Sequence, residues 1–187
     1  MENAKASRIL NYTVSYLSLK KKNIKFFENA PNNINLSFLK ATAPNPSYFL
    51  YLYKEVGRKY EWTDWLRSER ETLESFLSNK NVVLYSLIIK GEPKGFFVLD
   101  FRQLSLCDLA YFGLFDDVTG RGLGKAMMNK VFQAVTEQGN VKTLTVNTNT
   151  LDHKSALPFY QKAGFNIYKT ESHKRSASSV YEKKECL

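Results

Sequence analysis

Gly113-Leu-Phe-Asp-Asp-Val-Thr-Gly-Arg-Gly-Leu-Gly-Lys125 is the stretch on which the reading of this chain turns. Before it, Leu104 to Phe115 reads as a strand. After it, Leu123, Met127, Val131, Ala134 and Val135 keep helical spacing. A strand that enters a helix through Gly120, Gly122 and Gly124 aims several backbone N–H groups the same way, at the positive end of the helix dipole. Glycine lets an anion approach the main chain and adopts positive φ without strain. Arg121 and Lys125 add full charge at the same place. The stretch reads as a diphosphate-binding loop, or else as a flexible turn at a glycine-rich helix start. A nucleoside-triphosphatase loop would need a hydroxyl after the lysine, and Gly124-Lys125-Ala126 lacks it. The dinucleotide fingerprint would need a parallel βαβ unit, and an antiparallel meander precedes this turn.

That meander is Val82 to Ile89, a turn over Lys90 to Lys94, and Gly95 to Phe101, which together predict a hairpin. Downstream, Thr143 to Asn147 reads as a strand and Asp152 to Lys162 as a helix stopped by Gly164. Phe165 to Lys169 and Ser179 to Glu182 read as a terminal strand pair. Upstream, Tyr12 to Leu19 reads as a strand, and the proline- and asparagine-punctuated Asn29 to Pro46 as loop around a short strand. Ser47 is the expected cap of a helix ending near Gly57, followed by helical stretches from Thr63 and over Ser68 to Leu77. This order predicts an α+β (mixed α/β) fold, a mostly antiparallel sheet of about six to seven strands with helices on both faces.

Length and composition agree with one domain over 1–187, residues 1–80 carrying its N-terminal strand and helices and 81–187 its core. The chain has 187 residues, 43% hydrophobic and 24% charged, enough apolar content for a core and too much for wholesale disorder. The best apolar run, Val82 to Ile89, is strand-sized and far short of a membrane span. The first ten residues carry no long apolar segment, so a cytoplasmic protein is expected. Cys107 and Cys186 exclude a disulfide scaffold and a four-cysteine zinc site, and no metal is expected. Cys107, inside a strand, reads as a buried thiol, and His173 as a residue of a terminal surface loop. A net charge of +9 suits a phosphate-bearing ligand, nucleic acid or an anionic membrane surface, or simply a solubilising lysine-rich surface.

Two motifs together narrow the choice. Thr119-Gly-Arg-Gly-Leu-Gly124 resembles the acetyl-coenzyme A loop of the GNAT superfamily of N-acetyltransferases, usually Gln/Arg-x-x-Gly-x-Gly/Ala. Ala156-Leu-Pro-Phe-Tyr160-Gln-Lys-Ala-Gly-Phe165 is similar to its second signature, Ala-x-x-Phe-Tyr-x-x-x-Gly-Phe. The separation, one helix and one strand, is also the family's. Thr119 departs from the usual Gln or Arg, and His153 stands where Asn is common.

The resemblance implies an acetyl-CoA-dependent N-acetyltransferase in which an acceptor amine of a small molecule or protein attacks the thioester directly. It implies that the family's fourth and fifth strands splay around the cofactor. The backbone of Gly113, Leu114 and Phe115 would hold the pantetheine arm and thioester carbonyl. Thr119, Gly120, Arg121, Gly122, Leu123, Gly124 and Lys125 would hold the pyrophosphate. Val146 to Asn149, Asn149 included, would face the cofactor from the opposite wall. Tyr160 would protonate the departing thiolate, a phenol's pKa lying slightly above a thiol's, or would only pack its helix onto the sheet. His153 would accept the amine's proton or contact the cofactor in place of Asn. Asp152 reads as the cap of its helix. Glu61 and Asp64, among Tyr60, Trp62 and Trp65, read as an acceptor-site carboxylate pair or as a capped helix start with core aromatics, the second being preferred. The implied partners are acetyl-CoA and an amine acceptor, with a homodimer left open and no membrane. A non-catalytic acyl-CoA sensor or a basic nucleic-acid-binding module on the same fold is the alternative, though no nucleic-acid motif accompanies the lysines.

Overall fold

In the computed structural model, which describes residues 8–31, 35–177 and 181, seven strands form one sheet. They are β1 (Ile9–Lys20), β2 (Leu36–Ala41), β3 (Val82–Ile89), β4 (Glu92–Asp100), β5 (Leu106–Leu114), β6 (Thr143–Asn149) and β7 (Asn166–Ser176). Their order is β2-β3-β4-β5-β6-β1-β7. Five helices join them: α1 (Pro46–Gly57), α2 (Asp64–Arg67), α3 (Arg70–Ser78), α4 (Leu123–Thr136) and α5 (Ala156–Lys162). Every strand pairing is antiparallel except β5 with β6. The expected α+β architecture is therefore the observed one.

The parallel pair is short. Only Leu106, Cys107 and Asp108 register with Thr143, Leu144 and Thr145; beyond that rung the two strands run on without pairing. The sheet forks there, as the family resemblance implied. Alternation along β5 sends successive side chains to opposite faces. Tyr111 lies among Phe49 and Tyr53 of α1, and a Cβ on Gly113 would run into Val56 Cγ1 of the same helix. Phe112 instead stacks on Phe159 of α5, centroids 5.8 Å apart. Helices α1–α3 thus cover one face, and α4 and α5 the other. The core between these layers includes Leu52, Leu87, Phe96, Phe97, Val131, Phe132 and Leu144. Cys107 is fully buried, and burial pushes its thiol up. No helix among the described residues is long and apolar enough to cross a membrane.

Several boundaries differ from the sequence reading. Asn45, not Ser47, caps α1: its Oδ1 accepts from the Ser47 N–H, with Pro46 at the first helical position. The β3–β4 turn is only Lys90-Gly91, both at positive φ, so the hairpin closes tighter than a Lys90–Lys94 turn. Helix α5 begins at Ala156 rather than Asp152, whose carboxylate is engaged elsewhere. The terminal strand β7 continues to Ser176, and its partner is β1. The predicted partner strand, Ser179 to Glu182, lies outside the described residues apart from Tyr181. His173 sits on β7, stacked on Tyr12, and not in a loop. Cys186 also lies outside the described residues.

Candidate active site at the fork of the sheet

Gly120 and Gly122 take φ of 81° and 77°, and Gly122 is the left-handed cap that opens α4. Nothing crowds Gly120, so its requirement is conformational; a β-carbon there would carry strain on the order of 1 kcal/mol. Gly124 differs: a Cβ would rest 3.6 Å from the Phe159 ring, an ordinary contact. The Lys125 N–H turns back to Gly122 O at 2.9 Å. The N–H groups of residues 120–124 find no partner among the described residues, which leaves an arc of donors at a helix start. The neighbouring carboxylates are tied off, Asp116 by Lys59 at 2.5 Å and Asp117 by Lys94 at 2.8 Å. Lys94 holds the Asp117 carboxyl below its usual range. The arc can therefore receive an anion without meeting an uncompensated negative charge.

Two of the expected loop contacts are spent internally. The Thr119 hydroxyl donates to Phe115 O at 3.1 Å, and its N–H to Asp116 O. Arg121 folds back so that Nη2 donates to Asp117 O at 2.9 Å. The backbone rim of β5 is selective in the same way. The Phe115 N–H donates to Lys94 O at 2.9 Å and its carbonyl accepts from Thr119, so Phe115 offers no main-chain group to a ligand. By strand alternation Gly113 faces β4 as well, opposite Phe96, and Leu114 and Phe112 present their main chain to the open side. Across the fork, the Asn149 N–H goes to Asp152 Oδ2, its carbonyl receives the Asp152 N–H, and its Oδ1 receives the Leu151 N–H. The Thr150 N–H bonds to Thr13 O on β1, so alternation turns the Asn147 main chain toward the gap.

Asp152 ties this end of the fork together. Its carboxylate accepts from Trp62 Nε1 at 3.0 Å, Thr148 Oγ1 at 2.8 Å and the Asn149 N–H at 2.9 Å, joining the segment before α2 to the end of β6. It is three residues too early to cap α5, and the sequence reading of it as a cap is corrected. His153 is exposed, its ring edge-on to Tyr60, and its Nδ1 accepts from the Ser155 N–H at 3.2 Å. A neutral imidazole accepting at Nδ1 carries its proton on Nε2 and so presents a donor outward. Tyr160 is 6% exposed, its ring set against Phe112, Phe159 and Phe165. Its hydroxyl has no partner among the described residues, where the one sealed and unsatisfied side-chain atom is Arg175 Nε; the phenol therefore keeps an opening to solvent. Burial, with the charge of Asp152 second, pushes its pKa well above the ordinary phenol value.

Residues 45–165 match the acetyltransferase (GNAT) family model. The chain belongs to the GNAT acetyltransferase family. No curated protein matches the sequence. Among solved structures, a conserved protein of unknown function from Staphylococcus epidermidis ATCC 12228 aligns with TM-score 0.65 at 10% identity, over 91% of this chain and 63% of that one. A GCN5-related N-acetyltransferase from Kribbella flavida aligns with TM-score 0.59 at 12% identity, over 93% and 62%. The chain thus spans about three fifths of the length of these two. A GNAT family acetyltransferase from Elizabethkingia anophelis with acetyl-CoA bound aligns with TM-score 0.54 at 20% identity, over 73% and 80%. At such identities these neighbours speak for the fold.

Within the GNAT fold, sequence reasoning brought the glycine arc, the α5 aromatics and the fork into one region. It missed the Asp152 hub, because the Trp62 indole comes from elsewhere in the fold, and the two local partners, Thr148 Oγ1 and the Asn149 N–H, do not by themselves distinguish it from a helix cap. It read Glu61 and Asp64 as a helix start, and Asp64 does open α2, though the capping position is Thr63 with no side-chain bond. Trp62 and Trp65 are core aromatics that also donate, to Asp152 and to the Tyr111 hydroxyl.

Proposed function

We propose that this GNAT protein is an acetyl-CoA-dependent N-acetyltransferase in which the acceptor amine attacks the thioester directly. The supporting observation is the arc of partner-free N–H groups at residues 120–124, opening α4 beside the fork of β5 and β6. A diphosphate suits this arc: charge-assisted bonds to main-chain donors and the helix dipole both favour it, and Lys125 stands next to them. The Leu114 and Phe112 main chain would carry the pantetheine arm along the unpaired edge of β5, with the Asn147 main chain opposite. The bound co-substrate supplies the activated acetyl group. The amine gains a bond to the acetyl carbon and sheds one proton; the carbon–sulfur bond breaks and the sulfur takes up one proton.

Tyr160 serves the leaving sulfur. The phenol is protonated at neutral pH and can donate a hydrogen bond, then its proton, as negative charge builds on sulfur; because burial raises its pKa, the transfer depends on the thiolate being held beside it. His153, presenting Nε2–H, acts as a cofactor contact in place of the family's usual Asn; the tautomer disfavours it as the base. Residues 1–80 supply the acceptor side of the same unit. The test is a coenzyme A titration with a thiol-release assay. Wild type should bind coenzyme A and release thiol with a suitable amine. Gly124→Glu, which sets a carboxylate among the donors, should weaken coenzyme A binding at least a hundredfold. Retained affinity would refute the loop assignment.

A further inference from the structure

Opposite the glycine arc, on the α1–α3 side of the sheet, lies a cavity of about 690 Å³ whose wall includes Trp65, Glu71, Asp100, Asp108, Tyr111 and Asn147. A β-bulge builds its floor. Val98 registers with Tyr111 but Leu99 with Leu109, so Ala110 is an extra residue in β5. The extra residue reverses the alternation, and Asp108 reaches the same face as Tyr111 instead of the α4 side. Asp108 belongs to the last paired rung before the fork, opposite Thr145.

The charge there is unbalanced. Asp108 Oδ1 accepts from Thr145 Oγ1 at 2.7 Å, and no cation among the described residues reaches its carboxylate. Arg102, the cation of the cavity, is committed to Asp100 through Nε at 3.0 Å and Nη2 at 2.7 Å. Glu71 on α3 adds a further carboxylate with no ion pair among the described residues. In a chain of net charge +9, a half-buried carboxylate without a cation is a cost that a bound cation would offset. Burial indeed raises the Asp108 carboxyl pKa, against the Thr145 hydroxyl and with help from Asp100.

Resting on the transferase reading above, we infer that the acceptor is a compact aliphatic di- or polyamine, one ammonium held by Asp108 in this cavity while another amine is presented at the fork. The ammonium that stays on Asp108 keeps its charge, so the nucleophile is a different, unprotonated nitrogen of the same molecule. Asp108 is then the residue that selects the acceptor, and Asp100 is a neighbour of like charge already neutralised.

The experiment compares n-butylamine, 1,4-diaminobutane and spermidine as acceptors by thiol release, with spermidine also titrated calorimetrically into the protein–coenzyme A complex. Wild type should prefer the diamine over the monoamine by at least tenfold in kcat/KM. Asp108→Asn, which preserves the acceptor for Thr145, should bring that ratio toward one through KM. Asp100→Asn removes the same formal charge and should keep most of the preference. Equal use of mono- and diamine, or equal loss in both variants, would overturn the inference. If coenzyme A fails to bind, the transferase reading falls; if it binds and spermidine does not, this inference alone falls.

Discussion

Tyr160 shows how one position can carry both packing and chemistry. Its ring fills a site between Phe112, Phe159 and Phe165, so phenylalanine at 160 keeps every ring contact and loses only the oxygen. Tyr160→Phe should therefore fold normally and bind coenzyme A within about twofold of wild type. Turnover at saturating substrates should fall by about a hundredfold, the scale of a lost general acid. Because burial raises the phenol's pKa, ionisation of Tyr160 should cause no fall in wild-type kcat up to about pH 10. Steady-state kinetics across pH 6–10 checks both points, and unchanged kcat in the variant would leave Tyr160 a packing residue. The glycines nearby divide in the same manner: Gly122 is required by its backbone angle, whereas Gly124 has room for a methyl group beside Phe159.

Elements meet at Asp152, which fastens the segment leading into α2 to the free end of β6. Without it, the Trp62 indole N–H, the Thr148 hydroxyl and the Asn149 N–H would all lose an ionised acceptor. Each part-buried donor left unsatisfied costs about 1–3 kcal/mol, so Asp152→Ala should lower unfolding free energy by about 3 kcal/mol with partial relief from water. Asp152→Asn keeps one acceptor oxygen and should lose less than half of that. Urea denaturation of the three proteins measures the difference; a loss under about 0.5 kcal/mol in the alanine variant would mean that the hub is not a stabilising one. The β5–β6 fork depends on such ties, since beyond Asp108 and Thr145 the strands no longer hold each other.

Across the whole molecule, what sequence made legible was local. The glycine arc, the α4 stripe and the β3–β4 hairpin are written in contiguous residues, and the resemblance of two motifs supplied the fork. The place of β1 between β6 and β7 and the Asp152–Trp62 bond depend on contacts distant in sequence, and the extra residue Ala110 shows only in the register with β4. That bulge brings Asp108 to the cavity, and it leads to a test of stability. Asp108 faces Asp100 from β4, Arg102 beyond it, Glu71 from α3, and Thr145 and Asn147 from β6. Its folded carboxyl pKa is raised, so the folded state binds this proton more tightly than the unfolded state. Below the unfolded value, about 3.9, both states are protonated and Asp108 contributes nothing. As pH rises from there through the raised folded pKa, ionisation increasingly penalises the folded state, and the penalty is complete once pH exceeds the folded value. Asp108→Asn should therefore raise Tm relative to wild type at pH 7 and leave it nearly unchanged at pH 3. Saturating diamine, by neutralising the carboxylate, should raise the wild-type Tm at pH 7 and have little effect on the variant. Scanning calorimetry at the two pH values decides: a variant less stable at pH 7 than at pH 3, relative to wild type, would mean that Asp108 already has its counter-charge within the fold.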